Sequence, residues 1–177
     1  MSKKPSENTS DNASGNVIEP VRKAPKKGSK KARRSAARLN AVQIIYQTLL
    51  DHKDIKTVIR DHLESDIVHS VDGEPMVTPD DEMLSHITQG VVEKRADIDQ
   101  ALRNVKDASK LLPTEKLLQA ILMCGCFEIV YDQKIDAPII IADYLNVTHA
   151  FYDKSEARLV NGVLDKLYQT IKDETGS

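Results

Sequence analysis

Apolar residues recur at steps of three and four between about residues 31 and 51, and this period predicts an amphipathic helix. The apolar members of the stripe are Leu39, Val42, Ile45 and Leu49. The same stripe continues towards the N-terminus through Lys31, Arg34 and Arg38. Because burying an unpaired charge is costly, this basic front is expected to project past the core or to lie at its edge.

The rest of the pattern predicts an all-α chain with six or seven helices and no convincing strand. Thr78 is the expected N-cap of one helix, with Pro79 in its first position. The run IIIA could form a strand, but a lone strand would have nothing to pair with, so a helix is favoured there. The further predicted helices cover residues 55–66, 78–92, 97–105, 113–132, 136–150 and 153–168.

The predicted helix over 113–132 is apolar at nearly every position, which is typical of a helix buried on all sides. Gly125 would let another helix approach it closely. Cys124 and Cys126 flank this glycine, and C-G-C spacing does not suit a metal site. The two cysteines are therefore expected to be buried, inert thiols.

Charge is distributed very unevenly along the chain, although the net charge is only −2. Residues 1–38 hold 11 Lys and Arg against 3 Asp and Glu, whereas the remainder holds 14 against 24. A basic arm suits a polyanion, and an acidic body suits a basic partner. The alternative is that the arm is only a solubilising tail.

The first 30 residues are rich in Ser, Asn, Lys, Pro and Gly, and are expected to form a disordered basic leader. No apolar run is long enough to span a bilayer, and no signal peptide is evident. The sequence thus predicts a cytoplasmic protein that does not bind a membrane. The five histidines lack metal-site spacing, so neither a metal nor a cofactor is expected.

Two separated stretches resemble one family. The segment RRSAARLNAVQIIYQTLL at 33–50 is similar to the start of the NusB family of bacterial transcription antitermination factors. The segments FEIVY at 127–131, DYLNVTHAF at 143–151 and LVNGVLDKL at 159–167 are similar to later blocks of that family, in the same order. The resemblance covers residues 31–170.

The resemblance implies an all-α fold of two helical subdomains. With the leader and the chain end, it gives four expected segments: a disordered leader at 1–30, an N-terminal subdomain at 31–108, a C-terminal subdomain at 109–172, and a disordered tail at 173–177.

The resemblance also implies an RNA-binding function and no enzymatic activity. A NusB-like protein would pair with the small-subunit ribosomal protein NusE and bind the boxA element of ribosomal RNA leaders as single-stranded RNA. It would act in the RNA polymerase antitermination complex to suppress termination. The free protein could form a homodimer.

The expected RNA contacts come from the basic run, from the helix that follows it, and from the start of the last helix. Arg33, Arg34, Arg38 and Arg158 are expected to form one RNA track. Gln43 could form a hydrogen bond with a base edge or simply face solvent. Tyr46 could stack on a base or lie at the edge of the core. Asn161 could form a hydrogen bond with RNA or with another helix. The complete set is Lys30, Lys31, Arg33, Arg34, Arg38, Gln43, Tyr46, Lys154, Arg158 and Asn161.

Other functions fit parts of the same sequence. A NusB-like module could act in rRNA processing or ribosome assembly without a role in antitermination. The family fold also occurs fused to an rRNA cytosine methyltransferase, but no glycine-rich nucleotide loop is present here. An unrelated DNA-binding protein with a basic arm, and a small enzyme, are further alternatives.

Overall fold

The computed structural model describes residues 27–51, 53–64, 70–71, 74–105, 115–132 and 134–175. These residues form seven helices and one short pair of antiparallel strands, which confirms the all-α fold. The helices are α1 (Lys30–Asp51), α2 (Ile55–Glu64), α3 (Asp81–Glu93), α4 (Arg95–Asn104), α5 (Lys116–Tyr131), α6 (Ala137–His149) and α7 (Lys154–Thr175). The strands are β1 (Ser70–Val71) and β2 (Glu74–Pro75).

Helix α5 is the centre of the molecule and packs against α1, α3, α4, α6 and α7. Every residue from Leu118 to Ile129 is buried, so the prediction of a helix buried on all sides is confirmed. The prediction that 136–150 is helical is also confirmed by α6. Helix α1 packs against α3 and α5, and thus joins helices from both predicted subdomains. The subdomain division itself stays a prediction.

Two glycines allow close packing around α5. An added Cβ at Gly125 would lie 2.9 Å from Leu164 Cδ1 of α7, which confirms the predicted close approach. A Cβ at Gly90 of α3 would lie 2.0 Å from Phe127 Cζ, so the aromatic ring occupies the place of a side chain. The sequence did not reveal this second contact.

Several helix ends differ from the sequence prediction. Asp80, not Thr78, caps α3, because its Oδ1 accepts a hydrogen bond from Met83 N at 3.1 Å. Helix α7 continues to Thr175, so residues 173–175 are helical where a tail was expected. The predicted disorder of residues 1–26, the predicted helix start at 113–114 and the last two residues of the tail lie outside the described part of the chain.

Both cysteines are free and buried, as predicted. Burial raises the pKa of Cys124 well above its ordinary value, with a further contribution from the charge of Glu128. Burial likewise raises the pKa of Cys126 to about 12, helped by Asp99. Neither thiol is therefore activated. Among the helices that the structure describes, none is both long and apolar enough to cross a membrane.

Candidate RNA-binding surface

The front of α1 presents basic side chains on ordered backbone. Lys30 and Lys31 are exposed, and Arg34 is half-buried. Lys30 and Arg34 line an open cleft of about 710 Å³ between α1, the start of α3 and the α5–α6 connection. The other charged or imidazole groups that line this cleft are Asp80, Glu82, His86, Asp132 and Lys134. The cleft is therefore of mixed charge, with Lys30 and Arg34 on the α1 side and Lys134 on the α5–α6 connection.

Arg33 contributes to the fold. Its Nη2 donates a hydrogen bond to the Pro79 carbonyl oxygen at 3.3 Å, while its own carbonyl accepts one from Asp80 N at 3.1 Å. These bonds fasten the first turn of α1 to the start of α3. A half-buried arginine held in this way has fewer donors available for phosphate than Lys30 or Lys31.

Arg38 is buried, and the expectation that it projects past the core or lies at its edge is wrong. Its side chain is only 2% exposed. Its Nε and Nη2 donate hydrogen bonds to the two carboxylate oxygens of Glu128 at 2.8 and 2.9 Å. Its Nη1 donates to Asp143 Oδ2 at 2.5 Å. The expectation rests on an unpaired charge, whereas this guanidinium is paired with the carboxylates of Glu128 and Asp143, so its burial is tolerated. Arg38 therefore cannot reach RNA in this structure.

The same carboxylate also binds a tyrosine. Tyr144 Oη, which is buried, donates a hydrogen bond to Glu128 Oε2 at 2.7 Å. Burial and the charge of Glu128 raise the pKa of Tyr144 well above its ordinary value, so the phenol stays protonated and donates. For Arg38, burial acts to lower the pKa, but the hydrogen bond and charge of Glu128 outweigh it and the pKa is raised. The network therefore holds one arginine cation against two carboxyl groups.

One residue of the sequence indicates this network. Glu128 is an acidic residue inside an otherwise apolar run. A charge at the centre of a helix that is buried on all sides requires a buried partner of opposite sign. Arg38 ends the basic stripe immediately before its apolar part, which made it the most suitable candidate.

Further along α1, Gln43 and Tyr46 are half-buried. Tyr46 packs against the core, in keeping with a core-edge aromatic. It also lies close to Tyr152, whose pKa is raised by burial and by the neighbouring Glu115, Tyr46 and Glu156. Tyr46 thus has an aromatic neighbour, and that neighbour also lies near the carboxylates of Glu115 and Glu156. Roles for Gln43 and Tyr46 in RNA binding stay predictions.

The start of α7 presents Lys154, Arg158 and Asn161, all of which are exposed. Arg158 Nε donates to the Lys154 carbonyl oxygen at 3.3 Å and lies beside a cleft between α4 and α7. Asn161 lines a different cleft, between α6 and α7. The two side chains therefore face different grooves of the same helix.

The predicted RNA contacts line more than one cleft. The cleft at Lys30 and Arg34 and the cleft at Arg158 have different lining residues within the described chain. Along α1 alone, the axial rise from Lys30 to Tyr46 is about 24 Å. A track through Arg33, Arg34, Arg38 and Arg158 is interrupted at the buried Arg38. The accessible basic members lie at the start of α1 and at the start of α7.

Comparison with known proteins gives a consistent result. The NusB family model matches residues 35–169. Two proteins called transcription antitermination protein NusB are similar. One, from Allorhizobium ampelinum, is 30% identical over 138 residues, which cover 77% of this chain and 86% of that protein. The other, from Hyphomonas neptunium, is 31% identical over 137 residues, which cover 77% and 89%.

The fold is also similar to that of a solved structure, a crystal structure of the antitermination factors NusB and NusE in complex with dsRNA. The TM-score is 0.66 at 17% identity, and the match covers 80% of this chain and 99% of that chain. At this identity the likeness concerns the fold alone.

Proposed function

Because the chain belongs to the NusB family of transcription antitermination proteins, we propose that it pairs with the ribosomal protein NusE and binds boxA-type leader RNA. This RNA would come from nascent transcripts of ribosomal RNA operons. RNA polymerase carrying the complex would then pass termination signals. The similar proteins carry the antitermination name, and the similar solved structure contains NusE and dsRNA beside NusB.

The observation that carries the proposal is the exposed basic front of α1. Lys27, Lys30 and Lys31 are exposed within five residues, and Arg34 follows one turn later. Positive side chains at a helix N-terminus add to its partial positive charge, which is locally unfavourable unless an anion binds there. RNA phosphates supply that anion, and their condensed counterions are released on binding. RNA binding thus accounts for the position of the basic run.

The second basic site, at the start of α7, extends the same argument. Lys154 and Arg158 are exposed and one turn apart at the N-terminal end of that helix. Amide groups and cations at a helix start together suit a phosphate. A single RNA strand that contacted both basic sites would have to span the distance between them. The affinity should therefore depend on the length of the RNA.

The acidic body suits the second partner. Residues 39–177 hold 24 acidic against 14 basic side chains, and NusE is expected to be basic. One place where acidic and aromatic groups come together is the surface around Tyr46, Tyr152, Glu115 and Glu156. Tyrosine is enriched at protein interfaces, and carboxylates steer a basic partner. We assign this surface to NusE.

Titration of a boxA-type RNA with the chain alone, and with the chain plus NusE, tests the proposal. Affinity should rise when NusE is present, and should fall for a scrambled RNA of equal length. The variant Lys30→Ala with Arg34→Ala should bind more weakly and should reduce the slope of log affinity against log salt by about 2. Arg60→Ala is the matched control, because Arg60 is an exposed arginine on α2.

Equal affinity for the boxA-type and scrambled RNAs, with or without NusE, would contradict the proposed function. If the boxA-type RNA binds selectively but the double variant behaves as Arg60→Ala does, only the assignment of the α1 site is wrong.

A further inference from the structure

Gly162 lies in the middle of α7, exposed to solvent, and no contact within the described chain requires it. A Cβ built there meets no atom of the described residues within 4 Å. Gly90 and Gly125 differ, because a Cβ at either position would collide with a neighbouring side chain. Glycine is among the least favourable residues in a helix interior. A group from outside the chain that approaches the helix backbone would explain this glycine.

Gly162 lines the cleft between α4 and α7, whose volume is about 430 Å³. That volume falls in the range of small-molecule pockets, roughly 300–1,000 Å³. Leu159 on α7 and Val105 after α4 are both half-buried and give the cleft apolar walls. The exposed carboxamide of Asn104 lies at the α4 rim. Apolar walls with an amide at the rim suit a flat heterocycle with hydrogen-bonding edges.

Basic side chains stand at both ends of this cleft. Arg158 and Lys166 are exposed, line it, and are eight residues apart on α7, which is about 12 Å along the helix. Asp165, the acidic residue next to Lys166, instead lines the cleft on the α6 side. The charge on the α4 side of α7 therefore suits a polyanion that runs along the helix.

We propose that the α4–α7 cleft receives one unstacked base of a single-stranded RNA, with the flanking phosphates at Arg158 and Lys166. The absent side chain at Gly162 lets the base or its sugar approach the helix backbone. The amide of Asn104 can bond a base edge, which would give the protein a preference at that one nucleotide. This inference rests on the proposed RNA-binding function and names a site for it.

The decisive variant is Gly162→Leu, which adds an apolar side chain to the cleft at a position where a Cβ meets no described atom within 4 Å. Its melting temperature should equal or exceed that of the unchanged protein, because leucine is the better helix former. Its affinity for a boxA-type RNA, measured with NusE present, should fall at least about tenfold. Thr170→Leu is the matched control, since Thr170 is exposed on α7 and does not line the cleft. It should leave the affinity unchanged.

Two further variants separate base insertion from general charge. Lys166→Ala should weaken binding and reduce the salt slope by about 1. Asn104→Ala should weaken binding most for one base at one position of the RNA and leave the salt slope unchanged.

Normal RNA affinity in Gly162→Leu would overturn the proposal, even if Lys166→Ala weakens binding, because the cleft would then contribute charge only. Weaker binding of NusE by Gly162→Leu in the absence of RNA would also overturn it, since the cleft would be a protein interface. If the unchanged protein does not bind the RNA, the proposed function fails and this site fails with it.

Discussion

Arg38 on α1 and Glu128 on α5 form a bidentate ion pair, with donor–acceptor distances of 2.8 and 2.9 Å. The two side chains are 2% and 0% exposed. The residues are 90 positions apart in the chain. An arginine fork matches a carboxylate in geometry as well as charge. The pair therefore fixes the position of α1 on the central helix α5, just C-terminal to the basic residues at the start of α1.

Removal of one member of this pair should be strongly destabilising. Arg38→Ala leaves Glu128 buried without its cation, and we expect a loss of about 3–5 kcal/mol in the free energy of unfolding. Urea denaturation monitored by circular dichroism measures this loss. Arg60→Ala, at an exposed position, should change it by less than about 0.5 kcal/mol.

The coupling between the two residues can be measured separately. Arg38→Met with Glu128→Gln should be less destabilised than the sum of the single variants, by at least about 1 kcal/mol, because both belong to one network. Additive effects would show that the ion pair does not act as a unit.

Gly90 and Gly162 should respond to alanine in opposite directions. At Gly90 the added Cβ would meet the Phe127 ring at 2.0 Å, so Gly90→Ala should lose about 1–3 kcal/mol from overpacking. At Gly162 no atom of the part of the chain that the structure describes is within 4 Å of an added Cβ, so Gly162→Ala should gain up to about 1 kcal/mol. Thermal denaturation of both variants compares the two sites. A lower melting temperature for Gly162→Ala would mean that the position is not open.

Stability should fall at alkaline pH because of the buried thiols. The pKa of Cys126 is raised from 9.0 to about 12 on folding. Above pH 9 the unfolded chain therefore releases a proton that the folded chain retains, and the free energy of unfolding decreases as the pH rises. Cys124 and Tyr144, whose pKa values are also raised, act in the same direction. Urea denaturation at about pH 8 and about pH 10.5 measures the change.

Cys126→Ala isolates the contribution of one thiol to this pH dependence. The variant should lose less stability between those two pH values than the unchanged protein does. A free energy of unfolding that stays constant across this range in the unchanged protein would contradict the burial of the thiols.

Arg33 should act mainly in stability, whereas Arg34 should act mainly in RNA binding. Arg33→Ala removes the bond to the Pro79 carbonyl, and should cost about 1–2 kcal/mol of stability. Arg34→Ala should leave stability nearly unchanged and weaken RNA binding at moderate salt. Denaturation and RNA titration of both variants check this. Equal RNA losses would place both arginines in the RNA contact.

The helices and their burial could be predicted because apolar spacing directly reports which face of each helix meets the core. The repeat through Val42, Ile45 and Leu49, and the apolar run of α5, were sufficient for this. Arg38 was misplaced because spacing shows which face a residue is on, but not which distant residue meets it. Glu128 lies 90 positions away, and only the tertiary fold brings the two together.

The candidate site could be predicted only in part, for a similar reason. Basic composition and the family resemblance identified Lys30, Lys31, Arg34 and Arg158, which are at least partly accessible. They could not show that α1 and α7 present these residues on different clefts. Nor could they reveal that Gly162 is open while Gly90 and Gly125 are filled, since this depends on which side chains other helices direct towards each glycine.

The most direct test of the central claim is transcription read-through in a purified system. The template carries a boxA-type leader upstream of a terminator, and the reaction contains RNA polymerase, NusE and the remaining antitermination factors with or without this protein. The protein should increase the read-through fraction on this template, and should have no effect when boxA is scrambled. Unchanged read-through on the intact template, with a folded protein that still binds NusE, would contradict a role in antitermination.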